Sequence, residues 1–364
     1  MNLAVLDTTL REGLQRVGTR LEPRVRRWVA EELVASGIAE LEIGVVGRDG
    51  FLPALLAGLQ HRHPDHKIWV WTRMRPDDLK DARAMGAKRV SMCAPVSDQH
   101  LGQRLGWTRD QLLETIRAQV AYAISLGLEV SVGLEDASRA SLDDVVAAAT
   151  VARDSGAKRV RFADTVGILS PSECRQAISK LVELGLEVGF HGHDDFGLAT
   201  ANALAALEAG ATAVDASLLG WGERAGITST ERLAGFHSVR HGHPVDLGRL
   251  CDCAREIADR CGIAIPTHAP VVGSQIFRCE SGLHVAALAV APSLYEPYAP
   301  ELVGSKRALL VGAQSGAQSV QRVLDVLSPA LKSSPGLVSR VRRIAARLGR
   351  PLDSRELVKV AASD

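Results

Sequence analysis

The chain contains 364 residues, of which 46% are hydrophobic and 23% are charged, and its formal net charge at pH 7 is +1. This length allows one large domain with an extension and a sizeable core. Because the charges nearly balance, the chain lacks the broad basic surface with which proteins bind nucleic acid or anionic membranes, and neither partner is expected.

Three features indicate a cytoplasmic protein. No apolar run reaches the length of a membrane span. The N-terminal stretch MNLAVLDTTLREG becomes charged too early for a signal peptide. The six cysteines form no Cys-x-x-Cys pair and no even framework of spacings, which is typical of reduced thiols. Cys251, Cys253 and Cys261 are expected on the face of a helix rather than in a soft-metal site.

Short β-rich runs alternate with amphipathic helical patterns over residues 1–240. The eight predicted strands are, in chain order, NLAVLDTT, ELEIGVV, KIWVWT, KRVSMCA, LEVSVGLE, KRVRFADT, LEVGFHGH and TAVDASLLG. Several of the helical patterns between them close on a glycine that suits a left-handed cap. Eight alternations predict a (β/α)8 TIM barrel of the α/β class. A doubly wound open sheet is the alternative, but no GxGxxG follows the first strand.

Residues 241–364 show a different pattern. From about residue 245 the periodicity indicates helices and turns without clear strands. Proline and glycine punctuate it in IPTHAPVVGSQ, APSLYEPYAPELVG and SSPGL. We therefore expect a helical C-terminal region rather than a second large domain.

The tripeptide HGH occurs twice, and only the first copy has the context of a site. His191 and His193 end the predicted seventh strand, where side chains two residues apart share a face and can point at one ion. His241 and His243 follow a helix and precede Pro244, in a charged linker with no strand to aim them. We expect chemistry at the first copy alone.

A carboxylate on a nearby strand would complete a site for a divalent ion. The first strand ends in LDTTLREGLQ, which offers Asp7, Arg11, Glu12 and Gln15. In a closed barrel, strand one is separated from strand seven only by strand eight. An N-cap by threonine with a glutamate in the first helical turn is the alternative, but it explains one or two of these residues and not the whole cluster.

Five stretches together carry a resemblance. They are LDTTLREGLQ, FADTVG, FHGHDDFGLATANALAALEAGAT, GWGERAGIT and ESGLHVAALAVAPSLYEPYAPE. The chain resembles the homocitrate synthases, which belong with the isopropylmalate synthases and hydroxymethylglutaryl-CoA lyases to one family of barrel metallo-enzymes. The match spans the barrel and continues past residue 300, and its specificity lies in the combination of motifs.

The resemblance implies a metal-dependent condensation of acetyl-CoA with a 2-oxo acid. It implies a divalent cofactor, with Mg, Mn, Fe, Co and Zn all compatible, and metal ligands Glu12, His191 and His193. Arg11 matches the arginine beside the reacting carbonyl. Gln15 and Thr165 match residues of the 2-oxo acid site.

The resemblance also implies a homodimer. Glu135, in LEDASR, is similar to a member of the family's catalytic base system, together with His284 and Tyr295. In the family the last two residues reach the site from the partner subunit. We therefore expect the two C-terminal segments to be exchanged between protomers.

The sequence departs from the lysine-pathway homocitrate synthases at two places that concern the distal carboxylate of 2-oxoglutarate. Ser131 stands where they carry an arginine, and Arg73 where they carry a histidine; the nitrogen-fixation type is similar to this chain at both. We expect Arg73 to contact the distal carboxylate as a bidentate fork. The alternative is a solvent-exposed arginine that opens a helix. Two further departures are Cys279, at a usual histidine, and GAQSG in place of a K-H-S-G stretch.

Other functions remain open. The same chemistry could act on oxaloacetate, phosphonopyruvate, 2-oxoisovalerate or pyruvate. A lyase of the hydroxymethylglutaryl-CoA type is a second alternative, although GWGERAGIT lacks the cysteine of the loop in those enzymes. A non-catalytic barrel scaffold is the third, and the intact set of candidate ligands speaks against it.

Overall fold

Eight parallel strands close into a barrel in the computed structural model, which describes residues 5–363. Each strand pairs with its neighbours in sequence, and β1 pairs with β8 to close the sheet. The eight strands are β1 (Val5–Asp7), β2 (Glu40–Val45), β3 (Lys67–Arg73), β4 (Arg89–Pro95), β5 (Glu129–Glu135), β6 (Arg159–Asp164), β7 (Glu187–Gly192) and β8 (Ala213–Ala216). The predicted barrel is confirmed, and all eight predicted strands form.

One α-helix follows each strand. These helices are α1 (Pro23–Ala35), α2 (Leu52–Arg62), α3 (Pro76–Ala84), α4 (Arg109–Ser125), α5 (Leu142–Asp154), α6 (Pro171–Val182), α7 (Ala199–Glu208) and α8 (Thr230–His241). Their apolar faces are buried, as at Leu33, Leu56 and Leu112. Among the described helices, none combines the length and the apolar character that a bilayer crossing requires.

Charged side chains fill much of the barrel interior. Glu40 and Glu42 alternate with Leu41 and Ile43 along β2, so the two carboxylates share one face and are buried. At the amino end of the strands, Arg159 donates to both oxygens of Glu40 at 2.8 and 2.9 Å. An unpaired buried charge is strongly destabilising, so Glu40 and Arg159 each depend on the opposite charge of the other.

The chain folds as two compact units: residues 1–246 with 256–263, and residues 247–255 with 264–364. The helix α9 (Leu247–Arg260) contributes to both. The second unit contains α10 (Gly282–Val290), α11 (Ala317–Leu327), α12 (Pro335–Leu348) and α13 (Ser354–Ala362). Their inward residues, such as Val323, Leu324, Leu337 and Val341, form a core of their own.

The expectation of helices and turns without clear strands after residue 245 needs one correction. Two short parallel strands, β9 (Arg278–Cys279) and β10 (Ala308–Leu309), pair in the second unit. Each has only two residues, so no alternating apolar pattern could reveal them. Pairing with a segment about thirty residues away, rather than local propensity, creates this ladder.

Candidate active site

The segment after β1 coils tightly at the mouth of the barrel. The backbone amides of Arg11, Glu12 and Gly13 all donate to the carbonyl of Thr8, at 3.0, 2.8 and 3.1 Å. Asp7 anchors the turn because its carboxylate accepts from the Thr9 amide at 2.9 Å and the Thr230 hydroxyl at 2.6 Å. Burial raises the pKa of Asp7 to about 6. The turn leaves the Arg11 and Glu12 side chains buried at the carboxyl end of the barrel.

The two histidines of the first HGH converge, as their spacing predicts. The Nε2 atoms of His191 and His193 lie 3.4 Å apart, and their ring centroids lie 5.1 Å apart. His193 directly follows β7 and forms an isolated antiparallel bridge with Ile227. Burial, together with the neighbouring imidazole of His191, lowers the pKa of His193 to about 4. A neutral imidazole is the form that binds a metal ion.

A carboxylate behind this pair was missed by the sequence analysis. Asp215, in the middle of β8, is buried, and its Oδ2 lies 2.8 Å from His191 Nδ1. The same oxygen lies 2.8 Å from Nη1 of Arg161 on β6. A carboxylate on Nδ1 fixes the tautomer and the orientation of the ring, so that Nε2 faces the barrel mouth. The available signal was a lone acid inside the apolar run TAVDASLLG.

Glu12 completes the candidate ligand set but faces an arginine. Its Oε2 accepts from Arg11 Nη1, and its Oε1 accepts from the Glu223 amide at 3.3 Å. Burial would raise the pKa of Glu12, but the charges of Arg11, His191 and His193 outweigh it and hold that pKa below its usual value.

Across residues 5–363, no three His, Cys, Asp or Glu side chains already stand in coordinating positions. The donor set nevertheless suits a divalent ion. Two imidazole nitrogens converge beside a carboxylate, with a second carboxylate behind one ring. His193 Nδ1 is also buried and finds no hydrogen-bond partner among the described residues.

Arg11 is held by a second acid that the sequence analysis missed. Glu42 is fully buried, and it accepts from Arg11 Nε and from the Thr8 hydroxyl. Burial opposes its ionisation, but Arg11 and Arg161 lower the pKa of Glu42 to about 2. The pKa of Arg11 is likewise held above its usual value despite burial, chiefly by Glu42 and Glu12. Arg11 therefore remains a cation at the floor of the site.

These groups line a cavity of about 500 Å³ at the mouth of the barrel. The other predicted site residues on its wall are Gln15, Arg73, Glu135 and Thr165. Thr165 follows β6, and its hydroxyl accepts from the Asp136 amide at 2.8 Å. Cys93 also lines the cavity, and burial raises the pKa of its thiol to about 12. Cys93 is therefore neutral at physiological pH and unsuited to act as a nucleophile.

Glu135 has partners that the sequence analysis did not identify. Arg104 donates to both of its carboxylate oxygens at 2.8 and 2.7 Å, and His100 Nδ1 lies 3.5 Å from Oε1. Both partners belong to one short helical segment, His100–Leu105, between β4 and α4. Their spacing of four residues on a helical turn was the signal that could have paired them with one acid.

Arg73 lies at the end of β3 and lines the cavity, with a side chain that is 55% exposed. Its Nε and Nη2 donate to Asp78 at 2.9 and 2.7 Å, so that edge of the guanidinium is already engaged. The third nitrogen, Nη1, takes no part in this bidentate pair. Ser131, the other departure, is buried within β5 two residues before Gly133. Arg48, Arg75 and Arg104 line the same cavity.

His284 and Tyr295 lie in the second unit. Their rings contact edge to face, with centroids 4.2 Å apart, and both side chains are exposed. His284 lies on α10, and Tyr295 follows the short turn Pro292–Leu294. The two residues of the expected base system are therefore neighbours in space as well as in the motif.

Comparisons with known proteins show the family to which the chain belongs. Residues 2–257 match the HMGL-like family model, and residues 271–346 match the homocitrate synthase post-HMGL domain-like model. Homocitrate synthase 1 of Nostoc sp. is 33% identical over 97% of this chain and 95% of its own length. The 2-isopropylmalate synthase 2 of Caldanaerobacter subterraneus is 32% identical, over 97% and 94%.

A solved structure supports the fold. The HMG-CoA lyase of Bacillus subtilis superposes with a TM-score of 0.65 over 76% of this chain and 98% of its own, at 18% identity.

The candidate ligands make a test of metal binding possible. His191→Ala and Glu12→Gln should each weaken Mn²⁺ binding by more than the roughly 10–100-fold expected for a residue outside the ligand shell, because each removes a ligand. Mn²⁺ titration followed by electron paramagnetic resonance measures the bound ion. The matched control is His61→Ala, an exposed histidine on α2, which should bind Mn²⁺ as the wild type does. If both variants bind Mn²⁺ as tightly as the wild type, Glu12 and His191 are not metal ligands.

Proposed function

The chain belongs to the HMGL-like family, and we propose that it is a metal-dependent acyltransferase that condenses acetyl-CoA with a 2-oxo acid. We propose 2-oxoglutarate as the acceptor, which gives homocitrate. The names of the relatives support a condensation with a 2-oxo acid, but they do not identify the acceptor. The matching homocitrate and isopropylmalate synthases differ in that substrate.

One observation carries the proposal. A buried cation, Arg11, lies beside a buried carboxylate and two converging imidazoles at the carboxyl end of a closed barrel. Enzymes of this fold place their catalytic groups at that end. The same cavity carries Gln15 and Thr165 for polar contacts with a small acid.

The condensation makes two demands on the site. A proton must leave the acetyl methyl group, and the resulting carbanion must form a bond to the 2-carbon of the oxo acid while the carbonyl electron pair moves to oxygen. A divalent ion held by Glu12, His191 and His193 would polarise that carbonyl and fix the acid in place. Arg11 supplies a fixed positive charge for the developing alkoxide, and Glu42 keeps it oriented. Water then cleaves the thioester and releases free CoA.

The proton is taken by a base system that we propose to involve Glu135, His284 and Tyr295. Arg104 holds the Glu135 carboxylate in a bidentate pair, which fixes its direction within the cavity. The edge-to-face contact of His284 and Tyr295 supports a joint role for the two rings. An imidazole can remove such a proton near neutral pH. We propose that both rings serve the partner subunit of a homodimer, and that the enzyme works in the cytoplasm.

A free-CoA release assay with acetyl-CoA tests the function. The acids to be compared are 2-oxoglutarate, oxaloacetate, pyruvate, 2-oxoisovalerate and phosphonopyruvate. CoA release should depend on the added oxo acid, and 2-oxoglutarate should give the highest kcat/KM. Mass spectrometry should identify homocitrate as the product formed from 2-oxoglutarate. A different preferred acid would replace the acceptor and leave the chemistry standing. Absence of release with every acid, together with cleavage of 3-hydroxy-3-methylglutaryl-CoA, would identify a lyase instead.

We propose that Arg73 contacts the distal carboxylate of the acceptor. Asp78 engages Nε and Nη2, which orients the guanidinium and leaves Nη1 for the substrate. The contact is then a single charge-assisted hydrogen bond from a pre-oriented side chain, rather than the full bidentate fork expected from the sequence. This geometry favours a diacid over 2-oxobutyrate, which lacks the second carboxylate.

Arg73→Ala should raise KM for 2-oxoglutarate about tenfold, the size expected for one charge-assisted hydrogen bond whose partners stay partly solvated. KM for acetyl-CoA should change little, and the preference for 2-oxoglutarate over 2-oxobutyrate should narrow. Steady-state kinetics with both acids measure this. Arg75→Ala removes a neighbouring arginine of the same cavity and is the matched control. If the Arg75 variant loses the preference and the Arg73 variant keeps it, Arg73 does not read the distal group.

The exchanged dimer predicts complementation. His284→Ala and Arg11→Ala should each be inactive as homodimers, whereas a co-expressed mixture should regain activity because each heterodimer contains one intact site. The assay compares the purified mixture with each variant and with the two variants mixed after separate purification. A mixture no more active than the single variants would mean that His284 acts in its own chain or has no catalytic role.

A further inference from the structure

The second HGH lies at the end of a helix, in a cluster of three histidines. His241 is the last residue of α8, and His237 lies one turn earlier on the same face. Gly242 adopts a left-handed conformation with φ 67° and its amide donates to Ser238 O at 2.9 Å, so the chain turns back at the helix end. This turn brings His243 against the same face.

The three rings have separations close to those of imidazoles that share an ion. Their centroids lie 5.3 Å apart for His237 and His241, 5.6 Å for His237 and His243, and 6.4 Å for His241 and His243. Imidazoles bound to one ion at Zn–N distances of about 2.0–2.1 Å have centroids roughly 5 Å apart. The barrel pair, at 5.1 Å, has the same spacing. The His241 ring is exposed and can rotate within nanoseconds, which would change its separation from the His243 ring.

The central histidine lacks partners. Both Nδ1 and Nε2 of His237 are shielded from solvent and find no hydrogen-bond partner in the described part of the chain. A buried polar atom without a partner is costly, and a bound ion is one way to satisfy it. Phe236 packs its ring against His237 and His241, with centroids 5.8 and 6.2 Å away, and covers one side of the cluster.

We propose that His237, His241 and His243 form a second metal site, which binds a borderline divalent cation such as Zn²⁺, Ni²⁺ or Cu²⁺ through three imidazole nitrogens. An all-imidazole site disfavours Mg²⁺ and Mn²⁺, which prefer oxygen ligands. The bound ion would fix the end of α8 to the segment that follows it. That segment is anchored at its other end, because the Asp246 amide donates to Ser36 O at 3.0 Å, just before β2. The site is therefore at the amino end of the barrel and independent of the proposed condensation.

The other histidine-rich stretch does not offer such a site. The ring centroids of His63 and His66 lie 6.4 Å apart, and His63 Nε2 lies 2.6 Å from Glu31 Oε2. That imidazole is paired with a carboxylate in a side-chain contact, whereas both nitrogens of His237 are without a partner among the residues that the structure describes. Histidines outside the cluster can therefore serve as controls for zinc binding that does not depend on the cluster.

Zinc stoichiometry of the full-length protein tests the proposal. Stripped protein is reloaded with Zn²⁺, desalted, and assayed with a chromophoric chelator. The variant His241→Gln/His243→Gln should retain one Zn²⁺ fewer per chain than the wild type. The control His61→Gln/His268→Gln removes two exposed histidines elsewhere and should retain the wild-type amount. Equal zinc in the wild type and the cluster variant, or an equal loss in the control, would overturn the proposal and indicate adventitious surface binding.

Amide exchange gives a second readout that is independent of the barrel site. Zn²⁺ should slow exchange in residues 238–246 of the wild type, and Mg²⁺ should not. The single variant His243→Gln, which lies outside the helix, should abolish this protection without disturbing the fold. His191→Ala should keep it, so a failure at the barrel site and a failure here are distinguishable. Protection that persists in the His243 variant would contradict a three-histidine site.

Discussion

The candidate active site depends on a chain of buried contacts that begins at Arg161. Its guanidinium contacts the Asp215 carboxylate, which in turn holds His191, and it also reaches Glu42 at 3.5 Å. All four groups are buried, so none can exchange its partner for water at low cost. The network fixes the ring of His191 on one side of the barrel. Through Glu42, it also fixes the guanidinium of Arg11.

This arrangement explains why much of the fold and only part of the site could be predicted from the sequence. The barrel is encoded locally, in eight apolar runs separated by glycine-capped helices, so periodicity was sufficient to find it. His191, His193, Arg11 and Glu12 stand at strand ends, where polar residues are conspicuous. Asp215 is the one charged residue of an apolar run, and Glu42 alternates with apolar residues along β2, so neither residue stands out at a strand end. Their role depends on partners from distant strands, which no local pattern reveals.

The same limit applies outside the barrel mouth. Arg73 was expected to offer a free bidentate fork, but Asp78, five residues later at the start of α3, engages one edge of it. The pair depends on how the chain turns between β3 and α3. The two-residue strands β9 and β10 likewise depend on long-range pairing. The two HGH tripeptides have the same sequence but different surroundings. His191 and His193, at the end of β7, lie near Asp215, whereas His241 and His243, at the end of α8, lie beside His237.

The central claim is that Asp215 orients His191 for a divalent ion at the barrel mouth. The most direct measurement is the dissociation constant for Mn²⁺ in Asp215→Asn, which keeps the shape of the side chain and removes its charge, with folding verified by circular dichroism. The account predicts an affinity about 10–100-fold weaker than that of the wild type, as expected when an outer-shell partner of a ligating histidine is lost. A folded Asp215→Asn protein that binds Mn²⁺ as tightly as the wild type would contradict it.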